Sequence, residues 1–73
     1  MTTKTPAKRW RVITPERAGD HRSERAAYDA LNTYTADADI TVFGRMATVW
    51  HWENGDWRIY EHARITENGW EPA

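Results

Sequence analysis

The sequence predicts an α+β two-layer sandwich, with one helix packed on one face of a small, mostly antiparallel sheet. Three stretches carry that expectation. Met46–His62 alternates on both sides of Asn54-Gly55, a pair suited to a tight type I′ turn, whose two central residues must take φ > 0. Residues 20–34 repeat small and apolar side chains at spacings of three and four, as a helix with one dry stripe does. Lys8–Thr14 alternates again and supplies a further strand.

The first strand spans about 8–14. Trp10 and Val12 point one way, and Arg9, Arg11 and Ile13 the other. Thr14-Pro15-Glu16 then resembles a helix entry, but Gly19 follows too soon for more than one turn. The main helix, about 20–34, has Asp20 or Ser23 as its cap and a stripe of Ala27, Ala30, Leu31 and Tyr34. Alanine is small enough to let a helix approach a sheet carrying large rings. That places the helix on the face that bears the tryptophans.

From Ile40 to Glu53 the even-numbered residues Ile40, Val42, Gly44, Met46, Thr48, Trp50 and Trp52 share one face, expected to be the covered one. One strand over 40–53 is longer than most. A bend at Gly44 therefore fits, and a hairpin turn at Gly44-Arg45 is the rival reading. Around the Asn54-Gly55 turn, Glu53 faces Asp56, Trp52 faces Trp57, His51 faces Arg58 and Trp50 faces Ile59. The return strand, about 56–65, is expected to send Trp57, Ile59, Ala63 and Ile65 inward, with Glu61 interrupting the pattern. Asn68-Gly69 is a second turn signal and predicts a short strand near residue 70. Residues 1–7 read as a flexible arm, and 8–73 as a single α+β domain.

Composition narrows the function classes. A chain of 73 residues buries too little surface to be more than marginally stable by itself. With no cysteine it has neither disulfides nor thiolate metal sites, so it must rely on aromatic packing or on association. No apolar run is long enough to span a bilayer, and MTTKTPAKRW lacks the apolar core of a secretory signal, so a cytoplasmic location is expected. Up to Arg25 seven cations stand against three acids; beyond it three stand against eight. The simplest use of that asymmetry is attraction between the two halves of one fold.

With one helix, only one sheet face is covered. The expected open face carries a partner-binding surface of Arg9, Arg11, Phe43, Arg45, His51, Arg58, Tyr60, His62 and Arg64, together with Val49. Arginine and aromatic residues dominate protein-interface hot spots, so a protein partner is the first expectation. The alternative is single-stranded or non-specific nucleic acid, held by guanidinium on phosphate and ring on base. A homodimer formed by two open sheets is a third. His51 and His62 stand too far apart along the sheet to share a metal, and His21 lies near neither, so no metal is expected. His51 and Glu53 lack a nucleophile, a phosphate-binding loop or a cofactor fingerprint beside them, so neither catalysis nor a cofactor is expected.

The wording of the chain, rich in Arg, Ala, Trp and Asp and ending near Glu67-Asn68-Gly69-Trp70, resembles small orphan accessory proteins of actinobacteria and their phages. That resemblance implies an accessory or host-modulating protein that works by binding, and it implies no particular site residues.

Overall fold

The computed structural model describes residues 5–73; the arm expected over 1–7 falls mostly outside them. In chain order the elements are β1 (Trp10–Ile13), β2 (Ala18–His21), α1 (Glu24–Ala36), a 3-10 turn (Ile40–Val42), β3 (Met46–Glu53), β4 (Asp56–Thr66) and β5 (Gly69–Pro72). The strands form one antiparallel sheet in the order β2-β1-β3-β4-β5. α1 lies across one face of it, as the fold class requires.

Local chemistry explains most of the boundaries. Asn54 and Gly55 take φ of 53° and 80°, as a type I′ turn demands, and the four expected pairs from Glu53–Asp56 to Trp50–Ile59 form. Ser23 caps α1, its Oγ accepting from the Ala26 N–H at 3.1 Å. Asp20, the other candidate cap, lies in β2 instead. The buried Thr35 hydroxyl near the helix end donates to the Leu31 carbonyl at 2.8 Å, so it carries no unmet polar group into the core.

Three expectations need correction. First, Thr14-Pro15-Glu16 opens no helix. Thr14 Oγ1 accepts from the Arg17 N–H at 2.9 Å and the Thr14 N–H donates to the Arg17 carbonyl at 2.7 Å, closing a turn that folds β2 onto β1. Secondly, residues 40–53 are not one bent strand. The Asp39 carboxylate accepts from the Thr41 N–H at 2.9 Å and starts a 3-10 turn, leaving Ile40 75% exposed. Gly44, at φ 87°, then turns the chain into β3, and its N–H donates to the Ile65 carbonyl.

The third correction concerns which face is covered. Residues directly opposed in an antiparallel pair share a face. Trp10 and Val12 of β1 lie opposite His51 and Val49 of β3, so the inward phase of β1 brings the odd-numbered side of β3 with it. Ala47 and Val49 are buried, whereas the even-numbered Met46, Thr48, Trp50 and Trp52 point away from the helix. β4 then changes phase at a bulge. Trp50 opposes Ile59 but Val49 opposes Glu61, leaving Tyr60 as the extra residue. Ala63 and Ile65 therefore go inward as expected, while Trp57 and Ile59 stay with Trp50 and Trp52 on the other side.

The core consists of Trp10 and Val12, Ala27 and Leu31, Val42, Ala47 and Val49, and Ala63 and Ile65. The helix stripe beneath it is Ala27, Leu31 and Thr35, with Ala30 and Tyr34 at its margin. Small residues on both sides let helix and sheet approach closely; Trp10 is the one tryptophan buried between them, and Trp70 is half-buried at their margin.

Candidate functional site on the open sheet face

The uncovered face is a band of apolar and aromatic side chains between two ion pairs. On β2 and β1, the Asp20 carboxylate grips the Arg11 guanidinium twice, from Nε at 2.7 Å and from Nη2 at 3.1 Å. This bidentate bond holds the Asp20 carboxyl below the usual carboxylate range. The same guanidinium lies 4.2 Å from the centre of the Trp57 ring, within cation–π range. Trp57 in turn meets Trp52 edge-to-face, with ring centres 5.6 Å apart. A polar–cationic–aromatic row thus runs from β2 across to the hairpin, and each member restrains the next.

Trp50 sits at the middle of the face, its Nε1 donating to Thr48 Oγ1 at 2.9 Å. Ile59 of β4 lies opposite it, and Ile13 of β1, opposite Thr48, and Met46 at the start of β3 share the face; they are 44%, 38% and 42% exposed. On the far side Arg64 of β4 faces Glu71 of β5, with the charged atoms 3.6 Å apart. His62, opposite Thr48, completes that side. The face is thus largely aromatic and aliphatic, interrupted by Thr48 and His62, and each of its arginines has its own carboxylate.

The nine residues expected to bind a partner do not form one surface. Arg11, His62 and Arg64 lie on the open face. His51 and Tyr60 lie on the helix side, where the His51 ring stacks on Trp10 at 4.1 Å and the Tyr60 ring meets Trp10 edge-on at 4.8 Å. Tyr60 also donates its hydroxyl to Glu24 at the start of α1, at 3.0 Å. Arg58, opposite His51, follows it to that side. Phe43 and Arg45 belong to the connection before β3, and Arg9 precedes β1, where its carbonyl accepts from the Trp52 N–H at 2.8 Å. The parity reversal and the β4 bulge separate them.

The helix-side aromatics form a structural row. Tyr28 packs between Tyr60 and Trp70, and its hydroxyl donates to Glu61 at 3.1 Å. Burial, reinforced by Glu61, pushes the Tyr28 hydroxyl well above the ordinary tyrosine value. Glu61, which interrupts the sequence pattern, is thus a rim residue with a defined partner. Trp70 Nε1 donates to Asn32 Oδ1 at 2.7 Å and ties β5 to α1.

Residues missed as site candidates are Trp50, Trp52, Trp57, Ile59, Ile13 and Met46. Hairpin register already grouped four of them on one face; the error lay in putting the helix over that face. Among the described residues no three His, Cys, Asp or Glu side chains come together as a metal site would require. No described helix is long and apolar enough to cross a membrane. No family model, curated protein or solved structure matches the chain.

Proposed function

We propose that this chain is a small non-enzymatic binding module that docks a protein partner through the open face of its sheet. The observation that carries the reading is the composition of that face: three tryptophans, two isoleucines and a methionine along it, with its arginines already paired. Tryptophan and arginine lead the residues that dominate protein interfaces, and interface centres are depleted of unpaired charge. An accessory or host-modulating role, as the resemblance implies, is consistent with action by occlusion. Nucleic acid is the second reading, supported by the contiguous cation–aromatic row Arg11–Trp57–Trp52. Against it, phosphate binding needs free cations, and Arg11 and Arg64 each face a carboxylate.

The test uses immobilised protein challenged with a lysate of its source cell and, separately, with oligothymidine. Protein docking predicts a protein retained by wild type and by Arg58→Ala, lost with Trp52→Ala or Trp57→Ala, and little affected by salt. Binding of oligothymidine that weakens steeply as salt rises would overturn the protein reading in favour of nucleic acid. A partner released by Arg58→Ala but not by the tryptophan variants would move the site to the helix side.

A further inference from the structure

We infer that the partner of the open face is a second copy of this chain, packed sheet against sheet about a two-fold axis. The inference rests on the reading of that face as a protein-docking surface and names its occupant. Three features of the face point to a copy of itself.

The first is area. The five strands hold 31 residues. At roughly 3.3 Å along a strand and roughly 4.8 Å between strands, each residue covers about 16 Å² of sheet. One face is then about 500 Å² as a flat outline, so two facing copies cover about 1,000 Å², the lower bound for a specific interface. Side-chain relief adds accessible area to that outline.

The second is charge. Strand side chains on the face carry Arg11 and Arg64 against Asp20 and Glu71, each cation beside its own acid. Two identical faces can meet without like-charge repulsion because each is already neutral. The two acids stand on the edge strands β2 and β5, while Ile13, Trp50 and Ile59 lie on the inner strands, with Met46 at the start of β3 beside Arg64. An apolar centre with a polar rim is the layout of a protein interface, and a self-matching patch closes as a two-fold dimer.

The third is need. The helix seals only one side of the sheet, and this chain has no cysteine to staple so small a core. Small domains of this kind gain stability by association. Two sheets packed face to face lie about 10 Å apart, enough for one layer of interleaved side chains. Here that layer would be the tryptophans that do not fit under the helix.

Sedimentation equilibrium from about 1 µM to about 1 mM spans the affinities expected for an interface of this size. Wild type is expected to pass from the monomer mass of 8.5 kDa to twice that value as concentration rises. Ile59→Glu, which places a charge beside Trp50, and Met46→Lys, which places one beside Arg64, are expected to remain monomeric throughout. Asp29→Lys, on the exposed side of α1, is expected to dimerise as wild type does. Circular dichroism identifies any variant that fails to fold, and the other face variant then carries the test.

Wild type that stays at 8.5 kDa throughout overturns the second copy. If it still retains a lysate protein that Trp57→Ala loses, the docking reading survives with a foreign partner; if it retains none, that reading fails as well. A dimer that survives both face substitutions would place the contact elsewhere and overturn the inference. A mass that keeps growing beyond two copies would overturn the closed two-fold arrangement.

Discussion

Val49→Thr is the most direct measure of which face of the sheet is dry. Valine and threonine have nearly the same shape, so the change opens no cavity and adds one hydroxyl. Val49 is fully buried and shares its cluster with Val12, Leu31, Ala47 and Ile65, none of whose side chains holds a polar atom. Burying a hydroxyl without a partner costs about 1–3 kcal/mol by protein substitution data. A chain of this length has about 4–11 kcal/mol in total, so the loss is a large fraction of it. At roughly 4–8 °C per kcal/mol for a domain this small, the midpoint should fall by about 4–24 °C. Ile59→Thr is the companion. Ile59 lies opposite Trp50 on the other face and is 44% exposed, so its change should cost under about 1 kcal/mol. Urea and thermal unfolding followed by circular dichroism, at one low protein concentration so that association contributes little, would measure both. If Ile59→Thr cost more than Val49→Thr, the even-numbered side would be the covered one, and the placement of helix, bulge and site would be wrong together.

Two further expectations follow from packing and protonation. A Cβ added at Gly19 would lie 2.5 Å from the Tyr34 hydroxyl, so Gly19→Ala should destabilise wild type by about 1 kcal/mol or more. It should be better tolerated on a Tyr34→Phe background, which removes the clashing oxygen; equal costs on both backgrounds would exclude that contact as the cause. Tyr28 holds its proton more tightly folded than unfolded, since burial and Glu61 both raise it. The stability it contributes is complete below the ordinary tyrosine value of about 10 and declines as pH rises above it, with a slope of up to about 1.4 kcal/mol per pH unit. Urea midpoints measured across the alkaline range should fall more steeply for wild type than for Tyr28→Phe. Parallel curves would assign the alkaline loss to other groups.

Short-range chemistry accounts for the parts of the fold that the sequence predicted well. Asn54-Gly55 encodes its own turn, and a two-residue turn sets the register of the residues beside it, so Trp52–Trp57 and Trp50–Ile59 follow without reference to the rest of the chain. Asn68-Gly69 likewise introduces β5, and Ser23 with its downstream stripe introduces α1. The β1–β2 hairpin was harder to see. β2 has four residues, Ala18–His21, and its Asp20 has meaning only once Arg11 of β1 is opposite it.

Alternation along a strand sorts side chains into two sets, but it does not say which set meets the helix. Hydrophobicity alone favours Trp50 and Trp52 over Ala47 and Val49. The assembled fold chooses the other way for two non-local reasons. β1 pairs with β3 so that Val12 lies against Val49, and a helix seated on alanines and one leucine leaves room for small residues rather than for three indoles. The bulge at Tyr60 then divides β4, sending Ala63 and Ile65 under the helix and leaving Trp57 and Ile59 outside. Turns, caps and the α+β class are thus set by interactions within a few residues. The identity of the open face, and with it the candidate site, depends on strands 30 or more residues apart along the chain meeting in one particular register.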